Sequence, residues 1–322
     1  MLSRRSFSIF SAATILGAPA VAQTDTLRIV VGFPAGGIVD VIARELGEAM
    51  KPYLGGRAII VESKPGAAGR IGVAAVRNAP ADGNTLLFTP SSIMTLYPHV
   101  FSKLGYDTLK DFVPISPVCL STNALVVGTH VPVNTLGEFI AWCKAHPKDA
   151  TYASPGAGSG PHFLGAQIAS AAGIEMLHVP YKGAPDILND LYGGRIASFV
   201  TALSNAVQPH LSGKMRVLVT TSPKRLALLP NVQTVAEAGF PQLTGVEWFG
   251  LFAPASTHSG RVAELSAAVA KAMASDRIKE VFSKLVMEPT SSSSAEFAKT
   301  IKADTDRWGV IAKQLNYQPA DV

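Results

Sequence analysis

Short apolar, β-branched runs alternate with amphipathic stretches along most of the chain. The first run, residues 27–33 (LRIVVGF), is typical of a strand buried on both faces. A Pro-Ala-Gly-Gly turn follows it, and apolar residues at positions 38, 39, 41, 42, 46 and 50 then predict an amphipathic helix. Strands predicted at 58–62 and 85–88 continue the alternation. The pattern predicts an α/β fold built on a parallel, doubly wound sheet.

The same pattern starts again near position 123. Strands are predicted at 123–127, 151–153, 176–179, 197–200 and 216–220, and helices at 136–144, 161–172, 185–192 and 205–212. Helices at 261–275, 277–285 and 294–314 complete the chain, and the serines at 291–294 form a plausible N-cap region for the last of them. The chain therefore contains two units of one architecture.

The second unit is flanked by two apolar, β-rich stretches, residues 115–127 and 246–254. We expect them to cross between two domains as a two-strand hinge, with the C-terminal helices returning to the first unit. The predicted domains are residues 23–123 together with 250–322, and residues 124–249.

The N-terminus has the features of a secretory signal peptide. A cationic start precedes an uncharged, mostly apolar stretch at 6–18, and Ala20-Val21-Ala22 fits a cleavage site before Gln23. Arg4 and Arg5 within SRRSF fit a twin-arginine signal; a general secretory signal that happens to carry two arginines is the alternative. We expect export to the periplasm with cleavage after Ala22, and no later segment has the length and apolarity of a membrane helix.

Charge and cysteine content limit the kinds of partner and the redox chemistry that the sequence predicts. The 322 residues carry 28 Lys and Arg against 23 Asp and Glu, and without Arg4 and Arg5 the excess is smaller still. Such a balance, without a basic run, does not indicate a nucleic-acid partner. The two cysteines, Cys119 and Cys143, are expected to be buried free thiols rather than a disulfide, although export permits one.

The stretch 151–170, TYASPGAGSGPHFLGAQIAS, contains glycines and serines at the start of a predicted helix. It is not a dinucleotide fingerprint, because Pro161 stands where the third glycine belongs, and it has neither G-K-[ST] nor G-x-S-x-G. The histidines are scattered, without an H-E-x-x-H or paired-cysteine motif. We therefore expect no metal and no cofactor.

Unpaired amides and a partial positive charge at a helix N-terminus bind anions, and glycines let the backbone approach a ligand closely. The second unit has this device at 154–162 and the first has it at 33–40 (FPAGGIVD). Two facing loops suit a small carboxylate or dicarboxylate; two ordinary tight turns are the alternative. Other positions are weaker: Asp40 and Trp308 are interpreted as structural and Trp248 and Phe249 as core or hinge, whereas Tyr181 and Lys182 follow a strand where ligands can lie.

Several longer stretches carry a family resemblance that extends over essentially all of the mature chain. They include FPAGGIVDVIAREL (33–46), ESKPGAAGRIGVAAV (62–76), TYASPGAGSGPHFLGAQI (151–168), HVPYKGAPDILNDLYGG (178–194) and WFGLFAPAST (248–257). They resemble the substrate-binding proteins of tripartite tricarboxylate transporters, the Bug or TctC family. The resemblance implies a type II periplasmic binding protein fold, whose two α/β domains close on a ligand that is mostly a carboxylate.

The resemblance also implies the binding residues. They are Phe33, Ala35, Gly36, Gly37, Ser91, Ser92, Ser154, Gly156, Gly158, Ser159 and His162, and Thr201 is a further candidate at a position where the chain departs from the family. The chain departs from the family in two places. Ile38 and Val39 stand where a hydroxyl residue is usual, and the stretch 197–203 offers Ser198 and Thr201 where many relatives carry an aspartate. A ligand without an ammonium group, with an apolar or aromatic body, is therefore expected.

These observations predict a periplasmic receptor that binds a small organic acid without chemistry and delivers it to membrane permease subunits, acting as a monomer. One alternative is an exported serine hydrolase that uses Ser154 or Ser159 with His162. Another keeps the binding fold but places it in a ligand-sensing signalling system.

Overall fold

The computed structural model describes residues 26–318, so the predicted signal peptide lies outside the described residues. The first unit comprises β1 (Leu27–Val31), α1 (Ile38–Met50), β2 (Ile59–Ser63), α2 (Arg70–Arg77), β3 (Thr85–Pro90), the short helices α3 (Ser91–Thr95), α4 (Tyr97–Val100) and α5 (Thr108–Asp111), and β4 (Phe112–Ser121). The bounds of β1, α1, β2 and β3 agree with the sequence pattern, whereas the short helices α3, α4 and α5 were not predicted.

The second unit follows directly. It comprises β5 (Asn123–Gly128), α6 (Leu136–Ala145), β6 (Thr151–Ser154), α7 (Gly160–Ala172), β7 (Leu177–Pro180), α8 (Ala184–Tyr192), β8 (Ser198–Ala202), α9 (Val207–Leu211), β9 (Met215–Thr220) and β10 (Gln233–Thr234). The chain ends with β11 (Glu247–Pro254), α10 (Ser259–Ala274), α11 (Asp276–Lys284), β12 (Met287–Pro289) and α12 (Ser294–Gln314). Ser293 and Glu296 form a capping box at α12, as the serine run indicates.

Each unit is built on a six-stranded sheet. The orders are β12-β4-β11-β3-β1-β2 and β10-β9-β5-β8-β6-β7. Pairing is parallel among β1, β2 and β3 and among β6, β7 and β8, but β11 and β5 run antiparallel to both of their neighbours. The sheets are therefore mixed rather than wholly parallel. The periodicity of a buried strand does not reveal its direction, which here depends on where the chain passes between sheets.

The two passages between the sheets are very short. β4 ends at Ser121 and β5 begins at Asn123, so Thr122 alone links them. On the return, the Gly245 amide still bonds to the Thr221 carbonyl at 2.9 Å, and Glu247 already pairs with Ser121 in the first sheet. The expected crossing strands are thus replaced by strands that stay within one sheet, and the proposed domain limits, 23–123 with 250–322 and 124–249, stay a prediction.

Helices cover both faces of the first sheet, because successive strand residues point to opposite sides. Ile29 belongs to a core cluster with α1, α10 and α11, and its neighbour Val30 to a cluster with α2, α3 and α12. Cys119 and Cys143 are both free and buried, in clusters of different units, as expected. Within residues 26–318, no helix combines the length and apolarity needed to cross a membrane.

Candidate ligand-binding cleft

A cleft lies between the two units, and together with the solvent at its opening it contains about 630 Å³ free of protein atoms. The first unit lines it with Phe33, Pro34, Gly37, Ile38, Val39, Pro90, Ser92, Glu247 and Phe249, and the second with Pro155, Ser159, Pro161, Gly183, Ala184, Pro185, Thr201, Ala202 and Asn205. Most of these residues are apolar, and neither lysine nor arginine is among the described residues of the lining. Any anion bound here must therefore be held by backbone amides, hydroxyl groups and the carboxamide of Asn205.

Helix α1 begins at the cleft without a side-chain cap. Its N-cap is Gly37, in an extended conformation, and the first amides of any helix have no partner within the helix. Asp40 in the first turn holds the preceding loop: it accepts hydrogen bonds from the Gly36 amide at 3.0 Å and from Arg44 at 2.9 Å. Burial alone would raise the pKa of Asp40, but these hydrogen bonds outweigh it and lower the pKa. Asp40 thus has a structural role, as the sequence predicted, and this role is to hold the loop before α1.

Helix α8 begins at the opposite side of the cleft and also lacks a side-chain cap. Its N-cap is Gly183, with φ of 151°, and Ala184 and Pro185 form its first turn. A Cβ placed on Gly183 would lie 3.1 Å from Cδ of Pro34, so the starts of α8 and α1 face each other closely. The sequence pattern predicted this helix at 185–192 but did not identify its start as part of the binding site, although a glycine before a helix with proline in its first turn is the available signal.

Helix α7, which follows the glycine loop, satisfies most of its own amides. The Ser159 hydroxyl accepts from the His162 amide at 3.3 Å, and the Gly158 amide donates to Nδ1 of His162 at 3.0 Å. The Ser159 amide donates to the Gly156 carbonyl at 3.2 Å. These bonds leave fewer free amides at α7 than the sequence pattern suggests.

The side chain of His162 takes part in a buried cluster behind the loop. Its ring stacks on His178 with centroids 3.7 Å apart, and Nε2 of His178 lies 2.7 Å from the Ser154 hydroxyl. Burial lowers the pKa of His162 to about 4, and burial together with His162 lowers that of His178 to about 3. The fully buried Ser154 thus meets His178 rather than His162, which differs from the arrangement that the hydrolase alternative requires.

Glu247, at the first position of β11, was not singled out by sequence reasoning. Its Oε1 is buried without a hydrogen-bond partner among the described residues and lies against Gly160 at the start of α7. Burial raises the pKa of Glu247 to about 7, although Asn123 and Arg307 act in the opposite direction. Its position depends on how β11 pairs in the first sheet, so no local sequence signal reveals it.

The structure divides the predicted binding residues into two groups. Five line the cleft: Phe33, Gly37, Ser92, Ser159 and Thr201. Seven lie outside its lining: Ala35, Gly36, Ser91, Ser154, Gly156, Gly158 and His162. Several of the second group support the loops that reach the cleft. Residues 26–318 contain no group of three or more His, Cys, Asp or Glu side chains arranged to hold a metal ion.

Comparison with known proteins gives a consistent result. The model of the family described as "Tripartite tricarboxylate transporter family receptor" matches residues 42–317. The chain is 34% identical to the "UPF0065 protein in gbd 5'region" of Cupriavidus necator, over 99% of this chain and 98% of that protein.

Solved structures agree with this match. The periplasmic binding protein BugD superposes with a TM-score of 0.87 at 28% identity, over 92% of this chain and 99% of that one. R. palustris Rpa4515 with adipate gives the same TM-score and identity, over 92% and 98%. Both structures therefore share the two-unit architecture described above.

Proposed function

Since the chain belongs to the family of tripartite tricarboxylate transporter receptors, we propose that it captures a small organic acid in the cleft and delivers it to membrane permease subunits. Binding, without chemistry, is the whole of its action. The proposal includes action in the periplasm, after export by the predicted twin-arginine signal and cleavage after Ala22, as a monomer. The name of the related periplasmic binding protein BugD supports that location.

The observation that carries the proposal is the pair of uncapped helix starts, α1 and α8, at a cleft without basic side chains. Each start presents free amides and a partial positive charge, which stabilises an anion by roughly 0.3–1 kcal/mol, and by about 2 kcal/mol where the site is partly buried. The apolar lining suits the hydrocarbon part of an organic acid, at about 25 cal/mol for each Å² removed from water. The adipate bound to the related Rpa4515 is an acid of this kind.

Contacts between the units support capture by domain closure. A Cβ placed on Gly156 would lie 3.5 Å from Cβ of Ala68, and one on Gly158 would lie 3.0 Å from the Phe101 ring. With Gly183 against Pro34, these contacts join the loops of the two units around the cleft. A ligand inside such a cleft must enter and leave through separation of the units, and the separation changes the surface offered to a permease.

The direct experiment is to release small molecules from the purified protein, identify them by mass spectrometry and titrate the best candidate by calorimetry. We expect an organic acid that binds one to one and whose heat of binding is lost when its carboxylate is esterified. Tight binding of an ester or an uncharged analogue would contradict the proposal, as would turnover of ester substrates.

A further inference from the structure

Glu247 occupies an unusual position in the cleft. It is the one ionisable side chain among the described residues of the lining, and it stands in apolar surroundings that include Phe249 and Pro161. An isolated carboxylate in such a place is strongly disfavoured unless something pairs with it. The carboxylate therefore requires a hydrogen-bond donor or a cation.

Within residues 26–318, Oε1 of Glu247 has no hydrogen-bond partner, although the Asn123 side chain hydrogen-bonds to the same carboxyl group. The nearby charged residues on α12 are engaged elsewhere: Arg307 donates to Asp304 at 3.3 Å, and Asp304 also accepts from Nε1 of Trp248 at 2.7 Å. Asp40, the buried acid at the other side of the cleft, shows the contrast, because the Gly36 amide and Arg44 satisfy it. One oxygen of Glu247, Oε1, is thus left without a partner at a residue that lines the cleft.

We propose that Glu247 determines ligand specificity by accepting hydrogen bonds from a cationic group, so that the ligand is a carboxylate that also carries an ammonium group. This inference rests on the proposed function, because the ligand carboxylate is assigned to the α1 and α8 starts. The cleft then offers partial positive charge at those helix starts and a negative charge at Glu247. A zwitterion matches both ends and brings no net charge into an apolar site.

Burial raises the pKa of Glu247 to about 7, so its charge depends on neighbours that favour the ionised form, of which the Asn123 side chain is one. Its Oε1 lies at the start of α7, where the helix dipole stabilises a negative charge, and Arg307 acts on it in the same direction. An unaminated dicarboxylate would place a second negative charge against this group, without a basic side chain in the lining to compensate. The absence of an acid at 197–203 therefore no longer argues against an ammonium group, because β11 brings an acid into the cleft from elsewhere.

The test compares acids that differ only in the amino group. Calorimetry on the wild-type protein uses three pairs: L-leucine with 4-methylpentanoate, L-phenylalanine with 3-phenylpropanoate, and L-glutamate with glutarate. We expect the aminated member of at least one pair to bind roughly 10- to 150-fold more tightly than its partner, the range expected for hydrogen bonds to a charged group. Glu247→Gln, which keeps the shape and removes the charge, should abolish this preference.

Glu288→Gln, at an exposed glutamate of β12, is the matched control and should keep the preference. Thermal melting of each unliganded variant establishes that it is folded. If an unaminated acid binds equally well to wild type and Glu247→Gln, the proposed function stands and the role of Glu247 is refuted. If none of the six acids binds and the organic acid released from the purified protein carries no amino group, the role of Glu247 is refuted while carboxylate capture stands; if no organic acid is released or bound, both are contradicted.

Discussion

The rings of His162 and His178 stack in parallel with centroids 3.7 Å apart, and each ring is held by a polar group of the glycine loop. The Gly158 amide donates to Nδ1 of His162, so that nitrogen must be unprotonated. The stack therefore requires His162 to be neutral, which agrees with the lowered pKa of both rings.

Acid should destabilise the protein through this pair. The folded pKa values of about 4 and about 3 lie below the ordinary value of 6.5, so the unfolded chain binds protons first as the pH falls. The stabilisation is complete above pH 6.5 and declines below it, by up to about 2 kcal/mol for each ring at pH 5. Urea denaturation at pH 7 and pH 5 should show a smaller loss for His178→Gln than for wild type. The exposed His146→Gln should behave as wild type, and an equal loss in all three would contradict this account.

Replacing Asp40 should loosen the first loop. Asp40→Asn removes the charge that pairs with Arg44 and weakens the acceptor of the Gly36 amide, so we expect a loss of about 1–3 kcal/mol in the free energy of unfolding. Ligand affinity should fall as well, because that loop leads into α1. Asp276→Asn, at an exposed acid in the first turn of α11, is the control and should cost less than about 1 kcal/mol. Equal losses in the two variants would show that Asp40 has no special role.

The amide at the start of α1 can be removed without disturbing the helix. Ile38→Pro deletes one N–H at the first helical position, where proline is accepted and the extended Gly37 is compatible with it. For the tightest binder of the six acids named above, we expect calorimetry to show a loss of roughly 10- to 150-fold. Ile38→Ala shortens the side chain but keeps the amide, and should lose much less. Similar losses in both variants would assign the effect to the side chain instead.

Gly160 should tolerate a methyl group only if Glu247 gives way. A Cβ on Gly160 would overlap Oε1 of Glu247, so Gly160→Ala is expected to destabilise the protein by about 1–3 kcal/mol. In the Glu247→Ala background, Gly160→Ala should change the free energy of unfolding only slightly, because the oxygen that overlaps the new methyl group is absent. Urea denaturation of the four proteins in this double-mutant cycle measures the coupling. Additive effects would mean that the two residues do not touch.

Much of the secondary structure could be predicted from periodicity, and the reasons are local. The helix that starts at Ile38 and the capping box at Ser293 are set by neighbouring residues in the chain. The amide-rich loop at 33–37 was likewise visible, because glycine before an amphipathic stretch is a local signal. The restart of the pattern near position 123 predicted the two units, and the family resemblance added the type II periplasmic binding protein fold.

The rest of the cleft depends on tertiary pairing. Glu247 reaches the cleft only because β11 returns to the first sheet beside Ser121, a relationship that no window of sequence contains. The hydrogen bonds that His162 and Ser159 make within their own loop could not be predicted either. These bonds occupy amides that would otherwise be free to bind a ligand. Counting glycines predicts where amides are abundant and does not predict which of them are free.

Thr122 and Val246 are the two points at which the chain passes between the units, beside the pairing of Ser121 with Glu247. Their position limits how the two units can move relative to each other. Consecutive Cα atoms are held about 3.8 Å apart, so neither connection can lengthen, and the proposed opening of the cleft would be a rotation about this point. In such a rotation, the displacement of an atom grows with its distance from Thr122 and Val246. Such a rotation would move Pro34 and Gly183 apart further than Glu247, which lies one residue from Val246, and would free the outer end of a bound ligand before the inner end.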